Sequence, residues 1–477
     1  MTFYDQKFGN GTIAKKPALT PKSTSTSPVQ AKAAQSVASS PKFVQRRATL
    51  AYGALLTFSF LYYARPEDFI PGMAIIPVGK ISGGLALAGL LLSWARLKTK
   101  MPLVIKLVLV LFVHMCLTVP FAFWRGGAFQ VVRDDFSKAV IVALLISMIV
   151  GSMDDLRRLL WVQAVSVSVM TIASIIIHPQ TSLTGQYRLW GLGGVFSNPN
   201  DFAINIAINF PLCLAFFYAT KGILKKVLWG GALLFLLYGV IATYSRSGLI
   251  AMVICFMICV WEFGIRGKRP QVVAAAIFVV MLGLGVGLTK PNYTARIKTL
   301  VEGGEVENSG DHGSLDARRE LLMESIRVSL HHPIFGVGPG NFQAITESWH
   351  VTHNTYTELS SEAGLPALAL FLTIIVLTFR NLKHVSKSAA FETDPQLRLF
   401  TSALRAGMFA YIVGAAFAST TYNLFPYFMV GYVAALYRIG LSAEPEPVQS
   451  KPTGNGSLSA SKGLPYKNRQ PSLARTY

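Results

Sequence analysis

QVVAAAIFVVMLGLGVGLT (271–289) is a run of nineteen residues without a charge. A helix needs about twenty apolar residues to cross the hydrocarbon core of a bilayer, so this run reads as a membrane span rather than as the interior of a soluble domain. The rest of the chain agrees. Of 477 residues, 52% are hydrophobic and only 14% charged, with a mean hydropathy of +0.45, which leaves too little polar surface to cover a soluble core of that size. Working outward from 271–289, comparable runs lie near 48–64, 75–95, 102–124, 136–152, 158–178, 201–220, 226–244 and 247–265 on one side. Others lie near 362–379, 402–422 and 424–439 on the other. The expected fold is an all-α polytopic membrane protein of about twelve transmembrane helices, occupying 48–440.

Residues 1–47 and 441–477 are of another kind, rich in Ser, Pro, Lys and Ala with little to bury, and are expected to be disordered. The first apolar run starts too late for a cleavable signal peptide and lacks a clear small-residue cleavage site. A formal net charge of +21 raises the question of nucleic acid, but the basic residues gather in the tails and between alternate spans. Those between spans are Arg96, Lys98 and Lys100; Lys221, Lys225 and Lys226; Arg266, Lys268 and Arg269; and Arg380, Lys383 and Lys387. With the N-terminus in the cytoplasm, all of these lie on the cytoplasmic side, as the positive-inside rule requires. Both termini are therefore expected in the cytoplasm, with no nucleic-acid partner. The basic tails are free to touch anionic membrane lipid, although topology alone explains them.

The four cysteines, at 116, 213, 255 and 259, all fall within expected spans, and no disulfide framework or zinc spacing is present. The glycines of GVGPG (336–340) lack the Lys-Ser/Thr of a phosphate-binding P-loop, so direct use of ATP is not expected. No cofactor and no metal is expected.

On this topology the outer face receives 65–72, 125–135, 179–200, the sharp turn 243–247, the long insert 290–361 before the tenth span, and the turn 420–424. The insert contains SLDARRELLMESIRVSL (314–330), a helical pattern with Leu315, Leu322, Ile326 and Leu330 near one face and Asp316 in the first turn. It reads as a cap lying on the membrane and ending before Pro333. Two motifs follow, HHPIFGVGPGNF (331–342) and HNTYTELSSEAG (353–364).

Arg246, in TYSRSG between two apolar runs, is either an interfacial anchor or a phosphate ligand facing an outward cavity; Arg188 poses the same choice. Arg318 and Arg319 stand beside Glu320, paired on the surface or forming part of a guanidinium clamp. His353 sits where an imidazole is wet enough to titrate, as a structural hydrogen bonder or as a base. Gly336, Gly338 and Gly340 permit a tight turn, which is either that alone or an anion nest of backbone N–H groups. His331, His332 and His350 have no partner at helical spacing that would make a metal site.

Taken in order, RLWGLGGVFSNPNDFA (188–203), TYSRSGLIAM (243–252), Arg318 ahead of HPIFGVGPGNF (332–342), and HNTYTELSSEAGLPAL (353–368) resemble the O-antigen ligase superfamily, which includes related polymerases and protein O-oligosaccharyltransferases. The resemblance implies a metal-independent, inverting glycosyltransferase in O-antigen, lipopolysaccharide or exopolysaccharide biosynthesis, working at the periplasmic face of the bacterial inner membrane. Its donor would be a glycan on undecaprenyl pyrophosphate, transferred or polymerised onto a sugar or protein acceptor. Carried over by position, Arg188, Arg246 and Arg318 would hold the pyrophosphate, with Arg319 competing for the place of Arg318. His353 would take the acceptor's proton and Asn354 would orient it. Leu322 stands where the family often has Trp. The rival reading is a transporter or flippase of lipid-linked glycans; spans nearly free of charge and the lack of an internal repeat count against it.

Overall fold

Each apolar run folds as helix, because a chain in lipid must satisfy its backbone groups internally. The computed structural model describes residues 49–68, 70, 72–75, 77–93, 100–177, 188–289, 312–346 and 350–442; among these there is no strand. The segments 1–47 and 443–477, all of 290–311, and Arg96 and Lys98 lie outside the described residues.

In chain order the helices are α1 (Thr49–Ala64), α2 (Val78–Ser93), α3 (Leu103–Thr118), α4 (Arg125–Val131), α5 (Ser137–Ile149), α6 (Met153–Ile177), α7 (Pro199–Ala219) and α8 (Ile223–Ala242). They continue with α9 (Arg246–Cys259), α10 (Pro270–Thr289), α11 (His312–His331), α12 (Phe342–Ile345), α13 (Thr355–Val385), α14 (Ala389–Thr393), α15 (Pro395–Ala415) and α16 (Leu424–Ser442). The opening run 271–289 is α10. Seven of the described helices are long and apolar enough to cross a membrane, and Leu50–Ala64 and Val78–Leu92 are apolar but shorter. Among the other runs, Arg398 and Arg405 lie within α15, and a π turn carrying Arg133, Asp134 and Asp135 interrupts α4 and α5. A count of twelve crossings is therefore a proposal.

Gly414 packs on Ile204 and Asn354 bonds to Ala416, so the starts of α7 and α13 share one end of the bundle with the end of α15. Arg188, Arg246 and His353 lie there, whereas Lys221, Lys225, Arg266 and Lys383 lie at the other. The core is centred on α7, packed against α8, α9 and α15. Small residues let these backbones approach: a Cβ on Gly248 would stand 2.2 Å from that of Ala203, and one on Gly407 would stand 3.0 Å from the Ile208 carbonyl oxygen.

At the end opposite His353, Glu262 is buried. It accepts hydrogen bonds from Arg405 Nη1 at 2.5 Å and Ser402 Oγ at 2.9 Å, which ties the end of α9 to α15. Arg405 also donates to Ser386 Oγ, beyond the end of α13. Removing one member of a buried pair strands the other's charge. Glu262→Ala is expected to destabilise the protein by about 3 kcal/mol, read as a lower thermal midpoint in detergent. Glu262→Met combined with Arg405→Met should recover part of that loss; no recovery would deny that the stranded charge is the cause.

A helix-like pattern from His353 leads into the tenth apolar run near 362–379, and the helix there spans Thr355–Val385, bending at Gly364, whose φ of 84° and ψ of 171° are non-helical. The bend is packed from outside: a Cβ on Gly364 would stand 2.2 Å from the Ile334 carbonyl oxygen, and Leu365 N donates to Pro333 O. The cap helix α11 buries Leu321, Ser325, Val328 and Ser329, while Ile326 and Leu330, on the apolar face read from the sequence, are exposed. Serines allow α11 to pack closely on α13, where Ser329 Oγ meets Ser360 Oγ at 2.8 Å. The side chains of Leu315 and Asp316 lie outside the described residues.

Candidate functional site

The segment containing Arg188 and the TYSRSG turn fold onto each other at one residue, Asn200. Asn198 caps α7 by accepting from Asn200 N, with Pro199 in the first turn, where a missing N–H costs nothing. The Asn200 Oδ1 accepts from Arg188 Nη2 at 3.2 Å and from Ser245 Oγ at 2.7 Å. Arg188 Nε donates to Thr243 O at 3.0 Å, and Leu189 N donates to Ala242 O. Ser245 in turn caps α9, accepting from Gly248 N, and Arg246 is the first residue of that helix, half-buried at its N-terminus. Arg188 and Arg246 are thus brought to one turn, with two donors of Arg188 engaged in holding it.

The second half is built on α13. Asn354 is its N-cap, accepting from Tyr356 N at 2.9 Å and Thr357 N at 3.1 Å and donating to Ala416 O. Both ends of the Asn354 amide thus meet backbone groups. His353 precedes it with φ of 53°, in the left-handed region where His and Asn are enriched among non-glycine residues, and its N–H donates to Ser419 Oγ at 3.1 Å. Burial, then the charge of Arg318, then that of His350, lowers the imidazole pKa to about 4. Arg318, half-buried, thus acts on His353, whereas Arg319 is exposed.

The glycine turn, read from sequence as either a turn alone or an anion nest, directs its N–H groups at α13. Val337 N donates to Ser361 O and Gly338 N to Glu362 O, while Gly340 N and Phe342 N donate to the Glu362 carboxyl at 2.7 and 3.2 Å. The acceptor for the Gly338, Gly340 and Phe342 N–H groups is the protein's own Glu362, so Gly336, Gly338 and Gly340 serve docking. A Cβ on Gly336, at φ of 64°, would stand 2.3 Å from the Glu362 carbonyl carbon.

Sequence reasoning passed over Glu358 and Glu362. One turn apart on one face of α13, they join the glycine turn to the turn between α15 and α16. Glu362 Oε2 also accepts from Tyr422 OH at 2.6 Å, and Glu358 Oε2 accepts from Thr421 Oγ1 at 2.6 Å. Thr355 Oγ1 donates to Ala418 O at 2.6 Å. The signal available was two acids at i, i+4 spacing just ahead of an apolar run, where burial is costly without tight pairing.

The halves are joined through α16. Its Phe428 stacks on Tyr62 with ring centroids 5.4 Å apart, and Tyr62 meets Phe196, within the Arg188 segment, edge-on at 5.8 Å. Among the described residues no three His, Cys, Asp or Glu side chains group as a metal-ion site.

Residues 231–372 match the family described as O-Antigen ligase. This match, over less than a third of the chain, supports the O-antigen ligase superfamily. The matched O-antigen ligase segment takes in Arg246, Arg318, the glycine turn, His353 and the bend at Gly364, and leaves out Arg188. No curated relative matches the chain. The class of activity is ligase- or polymerase-type glycan transfer by a membrane protein.

Proposed function

We propose that this protein transfers or polymerises a glycan from undecaprenyl pyrophosphate onto a sugar or protein acceptor at the periplasmic face of the inner membrane. The observation that carries this reading is His353, neutral and half-buried, with the guanidinium of Arg318 acting on it. A base and an anion ligand side by side are what the reaction needs. The acceptor hydroxyl attacks the anomeric carbon opposite the pyrophosphate; His353 takes its proton as the new bond forms. The bond from that carbon to the pyrophosphate oxygen breaks, its electron pair leaving with the lipid pyrophosphate. A single displacement inverts the anomeric centre and calls on no metal. Arg188, Arg246 and Arg318 hold the leaving diphosphate, where preorganised donors stabilise developing charge.

The test is purified protein in vesicles with an undecaprenyl-pyrophosphate glycan and a candidate acceptor. A new, inverted glycosidic bond is expected. Movement of the donor across the bilayer without a bond would overturn the proposal in favour of a transporter. Arg246→Lys is expected to lower transfer by about 10²-fold, because a point charge does not replace the bidentate fork. Full activity in that variant would make Arg246 an interfacial anchor.

A further inference from the structure

The cap helix α11 has three faces, not two. One is buried against α13 through Leu321, Ser325, Val328 and Ser329. A second is polar, carrying Glu320, Glu324, Arg327 and His331 at successive turns, with Arg327 paired to Glu324 at 2.6 Å. The third is apolar below Arg319, which is exposed at its N-terminal end: Met323 is 59% exposed, Ile326 40% and Leu330 69%, and Ile334 beyond the helix is 60% exposed. Beyond that one long basic side chain, which can snorkel to the headgroups, the exposed apolar and polar side chains occupy separate sectors, the pattern of a helix lying in a bilayer interface.

What covers the apolar face is indicated by its neighbour. The exposed side of α3 runs through Leu103, Val110, Val113, Leu117 and Phe121, a stripe at helical spacing along a helix apolar and long enough to cross the membrane. At its end Phe121 stacks on Phe335, with centroids 4.4 Å apart, and Phe335 also lies parallel to His114 at 6.5 Å. His114 and Phe121 are two helical turns apart, about 10 Å along α3. The Pro333–Phe335 corner therefore lies alongside the last turns of this helix instead of sitting over its end. The exposed Phe123 and Trp124 follow at the level where aromatic residues favour the membrane interface.

We infer that α11 and the Pro333–Phe335 corner are seated in the bilayer leaflet on the His353 side, with Met323, Ile326, Leu330 and Ile334 in contact with lipid. Past the exposed Lys106 near its start, the stripe of α3 runs through Val110, Val113 and Leu117 to Phe121, on which Phe335 of the corner that follows α11 is stacked. Lipid fixes the height of α11, and with it that of Arg318 on the same helix. The inference is independent of the reaction: the face meets lipid whether or not the protein transfers a glycan.

The test uses the full chain in phosphatidylethanolamine and phosphatidylglycerol vesicles, with Cys116→Ser removing the exposed native thiol. Nitroxide is attached through Ile326→Cys or Leu330→Cys, and through Glu320→Cys or Arg327→Cys as controls. Collisions with oxygen are expected to exceed those with a water-soluble nickel complex at 326 and 330, with the order reversed at 320 and 327. Nickel access at 326 and 330 equal to that at the controls would overturn the inference. Dipolar broadening between labels at 330 would do the same, by showing that a second copy covers the face.

Discussion

Replacing His353 by Ala is expected to lower glycan transfer by about 10²- to 10⁴-fold, the usual contribution of a general base, while the protein remains in the membrane. The imidazole sits on backbone in the left-handed region, so a second variant separates chemistry from conformation. Asn tolerates this conformation but has no basic nitrogen, and His353→Asn should fail as His353→Ala does. Near-full activity in either would remove His353 from the reaction.

The pH profile tests its surroundings. A pKa lowered to about 4 by burial and by Arg318 means that the free protein holds His353 neutral at pH 5 and above. The ratio kcat/KM, which reports the free enzyme, should not show the inflection near pH 6.5 of an ordinary histidine; activity is lost only as pH falls toward 4 and the base becomes protonated. Bound pyrophosphate opposes the charge of Arg318, which moves the pKa of His353 upward. The inflection in kcat should therefore lie at higher pH than that in kcat/KM. An inflection near 6.5 in kcat/KM itself would deny that Arg318 and burial act on the free base.

How far these features could be read in the sequence depended on the range of the interaction that creates them. Helical segments were visible from hydropathy because lipid forces each span to be one continuous apolar stretch. The bend at Gly364 was not, because the helical pattern runs from His353 through Gly364 into the apolar stretch, and the carbonyl of Ile334 that packs against the bend belongs to a distant turn. Donors were visible in the glycine turn, but not the acceptor, Glu362. Its own third partner, Tyr422, is 60 residues further on, and Thr421 is 63 residues from Glu358. Arg318 and Arg319 are adjacent in sequence but differently placed; only packing of α11 through Leu321 and Ser325 decides which is half-buried near His353.

Those long-range contacts make Glu362 the residue outside the reacting groups whose loss should matter most. Its carboxyl receives Gly340 N, Phe342 N and Tyr422 OH, and it is buried. Glu362→Ala leaves these donors without their acceptor, each stranded buried donor costing about 1–3 kcal/mol, so a loss of about 3 kcal/mol or more is expected in detergent. Glu362→Gln is the sharper test. It keeps the shape, but its amide nitrogen points donors at donors on one side, so activity should fall well below that of the parent while the protein still inserts and purifies. Tyr422→Phe removes one hydrogen bond and leaves two, and its effect should be the smallest of the three, about 1 kcal/mol. The link to the reaction is geometric, because the turn that supplies Tyr422 also holds His353 through Ser419. A turn that loses Glu362 lets His353 wander from its place beside Arg318, and the loss should appear mainly in kcat, since misplacing a base costs rate before it costs binding. If Glu362→Gln matched the parent in both stability and kcat, the carboxyl would be a bystander to the site and the two turns would be held by packing alone.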